Sequence, residues 1–545
     1  MLPTHTSSDQ INQYLTSGHW SRETMVRRYR VYAKENPAGT ACSDGIESFT
    51  WAELENLTNV FAANLLSLGL DKDSTALVQM PSSCKEIILR LALKKAGIIA
   101  AFVPFQWKTN ELHYVSEKIS PRLIVLENPP RQPKDTPWLW NLLNQPDKKP
   151  HCITVANTST SGWINWPKML NKTQETINLE ALKAREFSFN EVSLITASSG
   201  TSGYAKLCEW VEAAQVCTAH AQNEKLQLTE DDRVGVFAPM SGAAGLIVWT
   251  ISAAIPCSYF FPASFRTEEL LRIIERQRIT FATTVPVLLS RLAREDLSKY
   301  NLRSLRALRV GTAATDISAA QSFEQKTGCK VVIAGGSMEV PGFAHAHINE
   351  PQSTRLDGSV GLPLRGGKLR IENDVGELVK PGTEGELKIA APYASSGYWN
   401  DPKETKISWS GQWYSTGDMG LITKEGRLTL LGRKKEIINR SGLKILPGEL
   451  EGEICEHPSV FDCAVIAASH REYGEVPWAF IQLSKGFSLD ANSITETLIE
   501  KGLPTYKIPE RFIQILELPR INDNKVDKPA LQKIMRGQTK INQEN

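Results

Sequence analysis

The chain lacks any Cys-x-x-Cys pair; its nine cysteines lie scattered through 545 residues. An odd, dispersed set excludes a disulfide framework and a zinc ribbon, and leads us to expect reduced thiols in a cytoplasmic protein. There is no excess of one charge: 62 Lys and Arg against 60 Asp and Glu leave +2, which points away from a nucleic-acid partner. The start, Met1-Leu2-Pro3-Thr4-His5-Thr6, has no basic-then-apolar order and so is not a secretory signal. An uninterrupted apolar run is missing too. Residues 243–265 carry no charge, but Pro256 and Pro262 break them and Ser252, Cys257, Ser258 and Ser264 dilute them. They read as a buried helix followed by a core strand, with no membrane span. The common nucleotide P-loop ending Gly-Lys-Ser/Thr is also absent, because Lys206 is followed by Leu207.

What is present is a long chain of ordinary globular composition, 41% apolar and 22% charged. Its length demands two or more domains. Residues 21–35 put Met25, Tyr29, Tyr32 and Ala33 on one face of an early amphipathic helix. From Phe49 short apolar strands alternate with helices: residues 74–80, then 86–95, then 98–103, then 123–126. This rhythm predicts an α/β fold of parallel-rich sheets covered by helices. Residues 129–168, rich in Pro, Asn, Lys and Trp without clear periodicity, read as a long surface connection. Strand–helix units resume at Val192, and Gly/Pro turns from Gly376 to Gly432 predict a smaller β-rich subdomain. Beyond Arg433 a small α+β module has its own apolar strands at 465–466, 479–481 and 512–515. The expected division is therefore 1–434 and 435–545.

The richest segment is Ser198-Ser199-Gly200-Thr201-Ser202-Gly203-Tyr204-Ala205-Lys206. Glycines let backbone N–H groups turn inward, hydroxyls add donors and the lysine balances charge, as a bound polyphosphate requires. Further along stand Gly336-Ser337-Met338-Glu339, Tyr414-Ser415-Thr416-Gly417-Asp418, the run from Gly432-Arg433-Lys434-Lys435 into Gly442-Leu443-Lys444, and Asn524-Lys525-Val526-Asp527-Lys528. In this order the segments resemble the adenylate-forming superfamily of acyl-CoA synthetases, peptide-synthetase adenylation domains and luciferases, and the likeness covers nearly the whole chain. The Lys206-Leu207 ending is similar to that of stand-alone aryl-acid AMP ligases.

The resemblance implies an ATP-dependent ligase that activates a small carboxylic acid as an acyl adenylate and then transfers it to a thiol. It implies that residues 435–545 are mobile about a hinge at Lys435. It assigns Ser198, Ser199, Gly200, Thr201, Ser202, Gly203 and Lys206 to the ATP phosphates, and Gly336, Ser337 and Met338 to the nucleotide. Glu339 would hold Mg²⁺, for which one carboxylate beside phosphate oxygens is sufficient. Asp418 would accept from the ribose hydroxyls, and Arg433 would add a ribose or phosphate contact. Lys525 would neutralise charge between carboxylate and α-phosphate. Gly442 and Lys444 would face the thiol arm of coenzyme A or phosphopantetheine. The chain ends soon after Lys528, so a free coenzyme A or a separate carrier protein is the expected acceptor.

Three departures stand out. Ala205 and Leu207 replace a common proline and glycine, Gly335 replaces the aromatic that commonly packs on adenine, and Met338 replaces a threonine or alanine. Ser241, Gly242 and Ala243 mark the acid pocket by the same likeness. There Gly242 and Ala243 stand where aryl-acid ligases carry His and Asn, and Ala243 can meet neither an ortho hydroxyl nor an α-ammonium. His345 and His347, at period two, have no third ligand nearby and are not read as a metal site. The alternative function is a luciferase-like oxidase that uses the adenylate, or a silent acyl- and nucleotide-binding relative.

Overall fold

The structure, a computed structural model, describes residues 1–130, 136–144, 149–156, 160–171, 177–198, 205–313, 315–441, 443–521 and 525–537. The early helix spans Met25–Glu35 because the Thr24 side chain caps it, accepting from the Arg27 N–H. Met25, Tyr29 and Tyr32 are buried on its inner face, as the helical spacing predicts.

Two parallel-rich sheets form the larger part of the molecule. Among the described residues the first has seven strands, and its interior runs Leu123–Leu126, Thr75–Gln79, Ile99–Phe102 and Val192–Ala197, all parallel. The strand Leu207–Val211 closes one edge antiparallel. The second sheet, of nine strands, has Ser258–Phe260, Arg233–Val236, Phe281–Thr284, Ala307–Gly311 and Lys330–Gly335 side by side and parallel. These strands are mostly β-branched or apolar and buried on both faces, which suits a sheet sandwiched by helices. Parallel register puts the C-terminal ends of the nine-stranded sheet along one edge, the usual place for a ligand in such folds. The residues after Val236, Thr284, Gly311 and Gly335 all emerge there.

The stretch 243–265 forms the helix Ala243–Ile251 and the buried strand Ser258–Phe260. Among the described residues no helix is long and apolar enough to cross a membrane. The stretch 129–168 is not a surface connection. It contains the helix Pro137–Leu143 and two strands, His151–Thr154 and Ile164–Asn165, that extend the seven-stranded sheet in parallel. Trp138, Trp163 and Trp166 are buried beneath it. Its elements are too short for a period to show, and the tryptophans carry the burial instead.

Residues 368–433 form an antiparallel five-stranded sheet that includes Gly385–Ala390, Trp413–Ile422 and Leu428–Arg433. A second five-stranded sheet follows, built on the long hairpin Val460–His470 with Gly474–Leu483. The buried apolar side chains divide accordingly: one cluster runs from Trp20 to Leu428, and two others draw only on residues from Ile438 onward.

Candidate active site

Ser198 follows the buried strand Val192–Ala197, and its N–H donates to the Lys206 carbonyl at 2.8 Å, closing the mouth of the loop. Ser199, Gly200, Thr201, Ser202 and Gly203 lie outside the described residues. The Lys206 ammonium is ion-paired with Glu404 and sits 5.0 Å from the centroid of the Tyr398 ring. A polyphosphate would compete with Glu404 for this lysine.

Glu339 is buried on the loop that leaves the strand Lys330–Gly335. Its Oε1 accepts from the Tyr398 hydroxyl at 2.9 Å, and its carbonyl accepts from the Ser395 N–H at 2.7 Å. The loop is tight: a Cβ on Gly336 would lie 2.6 Å from the Gly342 nitrogen. The Ser337 hydroxyl accepts from the Val340 N–H, and Met338 is buried. At Gly335 a Cβ would come within 2.6 Å of the Phe343 ring, so the departure noted in the sequence has a packing cause. Phe343 fills the space an aromatic at 335 would need.

Asp418 and Arg433 are cross-strand partners in the antiparallel sheet. The Arg433 Nε lies 2.8 Å from the Asp418 carboxylate, and its Nη1 donates to the Thr416 carbonyl. Burial pushes the Asp418 carboxyl up, while Arg433 and then Lys525 pull it back. Lys525 therefore stands within electrostatic reach of Asp418, although about a hundred residues separate them in sequence. Glu339 acts on the same pair: it raises both Asp418 and Arg433. It also adds to the burial that pushes the Cys208 thiol up, where Lys206 opposes it. Lys206, Glu339, Asp418, Arg433 and Lys525 thus come together from separate segments.

Lys435 is exposed in the short 3-10 turn Lys434–Glu436, between Lys434, which pairs with Glu386, and Glu436, which pairs with Lys528. Lys444 lies on the strand Leu443–Ile445 in register with Asn439; Gly442 is outside the described residues. Ser241, Gly242 and Ala243 form the turn after Val236 that begins the helix Ala243–Ile251, with Gly242 as its N-cap. The turn is held by Ser82, which accepts from the Met240 N–H, and by Arg90, which donates to the Met240 carbonyl. It is close-packed as well: a Cβ on Gly245 would sit 1.9 Å from the Pro239 carbonyl oxygen. His345 is buried and bonded to the Ala346 carbonyl and Gln222, a structural histidine. Among the described residues no cluster of His, Cys, Asp and Glu could cage a metal by itself. Glu339 alone still fits Mg²⁺, which keeps water and phosphate oxygens as ligands. Sequence reasoning missed Tyr398 and Glu404, whose partners become neighbours only when the sheets pack.

A buried glutamate just past a parallel strand, an Asp–Arg pair across the neighbouring antiparallel sheet and a lysine closing a serine–glycine segment suit a nucleotide-dependent acid-activating enzyme. The AMP-binding enzyme family matches residues 29–399 and the AMP-binding enzyme C-terminal domain matches 449–525. The chain belongs to this family, within the adenylate-forming superfamily. It is 26% identical to the indoleacetate–CoA ligase of Aromatoleum aromaticum over 94% of this chain and 98% of that one. It is 25% identical to the vibriobactin-specific 2,3-dihydroxybenzoate-AMP ligase of Vibrio cholerae, over 96% and 95% respectively. The anthranilate CoA ligase AuaEII, solved in complex with anthranoyl-AMP, superposes with a TM-score of 0.84 at 22% identity, covering 95% of this chain and 98% of that one. The mixed α/β architecture is the one the two share.

Proposed function

We propose that the protein is an AMP-forming acid–thiol ligase of two units, residues 1–434 and 435–545, that pivot about Lys435. In the first step an oxygen of the acid's carboxylate bonds to the α-phosphorus of ATP, and the bond from that phosphorus to the bridging oxygen breaks. Acyl adenylate and pyrophosphate result. In the second, a thiolate sulfur bonds to the acyl carbon, the acyl–oxygen bond breaks and AMP leaves. The thiol's proton passes to solvent.

The observation that carries this reading is the convergence of Lys206, Glu339, the Asp418–Arg433 pair and Lys525. Two anions must meet in the first step, so preorganised positive charge is the main requirement. Lys206 would hold the departing phosphates with the loop 198–203, Lys525 would neutralise the approaching carboxylate, and Asp418 with Arg433 would fix the ribose. Glu339 would hold Mg²⁺, which supplies charge neutralisation at the phosphates. The Gly442 and Lys444 segment would face the thiol of coenzyme A or of a separate carrier protein's phosphopantetheine. Acid-dependent exchange of labelled pyrophosphate into ATP tests the first step, across aryl, alicyclic and aliphatic acids. A well-folded protein that binds ATP yet exchanges with none of them would remove the assignment.

A further inference from the structure

Among the described residues, buried Lys and Arg side chains have carboxylate partners, with one exception. Arg90 pairs with Glu86, Lys94 with Glu212, Lys95 with Glu55 and Arg355 with Glu324. Arg309 is 2% exposed, and among the described residues it has no ion pair and its Nε–H has no acceptor. An isolated buried charge is costly and persists where something else brings the counter-charge. Burial alone pushes this guanidinium down to about 9.

Its position is informative. Arg309 lies on the strand Ala307–Gly311, two residues before the C-terminal end of the parallel sheet, where the turn at Ser241 and the Glu339 loop also emerge. Its register partner on the neighbouring strand is Thr283, fully buried, whose hydroxyl is also without a partner. On the other side Nη2 approaches the Glu339 loop: a Cβ on Gly342 would lie 2.7 Å from it. At the strand's end Thr312 holds φ at +84°, a left-handed conformation unfavourable for a β-branched residue, with its hydroxyl buried and unpartnered. Unmet donors and stored strain thus gather toward the C-terminal end of the parallel strands, next to the Glu339 loop. Ala243 offers nothing to a hydroxyl or an ammonium, so a polar handle on the acid has to be met elsewhere.

We propose that Arg309 and Thr283 receive a second carboxylate of the acid substrate, so that the enzyme selects dicarboxylic acids and activates one end. A carboxylate is acceptor-only and takes the donors of a guanidinium and a hydroxyl together. The inference rests on the adenylation reading.

The test uses matched pairs, straight-chain alkanedioates and benzenedicarboxylates each against its monomethyl ester, in pyrophosphate exchange with the full chain. The wild type should favour a diacid over its ester by at least about 100-fold in kcat/KM, and Arg309→Gln should lower that ratio by a similar factor. Thermal midpoints accompany the rates. The preferred diacid should raise the midpoint of the wild type but not of Arg309→Gln, and the variant, freed of an unpaired charge, should be at least as stable without ligand. Preference for the ester in every pair overturns the proposal, as does an unchanged ratio in Arg309→Gln. A raised KM for ATP with the ratio intact overturns it too, by placing Arg309 on the nucleotide. Arg309-dependent stabilisation by a diacid with no exchange would instead keep the carboxylate site and overturn the adenylation reading.

Discussion

Lys525 carries the sharpest expectation at the scale of single residues. If it stabilises the meeting of carboxylate and α-phosphate, Lys525→Ala should lower pyrophosphate exchange by roughly two orders of magnitude or more. Thiol transfer from a supplied acyl adenylate should be largely spared. Single-turnover assays of each half-reaction decide this, and equal losses would remove the assignment. Thr312 carries a stability expectation. Its φ of +84° costs about 1–3 kcal/mol in a β-branched residue, against about 0.5–1 for the extra unfolded-state freedom of glycine. Thr312→Gly should therefore raise stability by about 1 kcal/mol in denaturant titration, and a clear loss would mean that the strained backbone is held by side-chain contacts. Residues of this kind were unequally legible. Glu339 and Asp418 sit in short motifs whose order marks them as candidates. Arg309, Tyr398 and Glu404 have no local signature, because what distinguishes them is a partner, or the lack of one, across the packed sheets.

Among the elements, the alternation of strand and helix was readable because parallel strands are short apolar runs with helices between them. The stretch 129–168 was not, since its helix and strands are held by Trp138, Trp163 and Trp166 rather than by a period. Gly335 shows the same limit from the other side: its departure from the aromatic was visible, but its cause, the Phe343 ring in that space, belongs to the fold. The helix Ala243–Ile251 yields a prediction about the acid. Its N-terminal turn is fixed by Ser82 and Arg90 and has no room at Gly245, so the proposed acid pocket there cannot readily reshape around a polar group. An unpaired buried hydroxyl costs about 1–3 kcal/mol. Salicylate and 2,3-dihydroxybenzoate should accordingly be activated at least about fivefold less well than the best acid lacking that hydroxyl. Equal kcat/KM in pyrophosphate exchange would show that another residue, Ser241 foremost, supplies the contact.

For the whole molecule the question is how residues 435–545 sit on the rest. In this structure Lys525 stands within electrostatic reach of Asp418 and lowers its carboxyl, as the proposed first step would need. Thiol transfer with the Gly442 segment would require rotation at Lys435. A proline there fixes φ and disfavours the helical backbone of the residue before it, Lys434, which lies in the 3-10 turn. Lys435→Pro should thus lower thioester formation at least about tenfold more than pyrophosphate exchange, and unchanged thioester formation would move the pivot elsewhere. A second contact holds the present pose. The Arg294 guanidinium lies 4.4 Å from the centroid of the Phe461 ring and its Nη2 donates to the Val460 carbonyl at 3.5 Å. A cation–π contact at a partly exposed site contributes about 0.5–1 kcal/mol. Its loss in Phe461→Ala should shift the population away from the Lys525-inward pose by about two- to fivefold. Pyrophosphate exchange should fall by that factor, while transfer from a supplied adenylate stays level or rises. If both half-reactions decline together with the thermal midpoint, Phe461 serves the core of its own unit; if exchange alone declines, the ring on Arg294 biases the enzyme toward its first step.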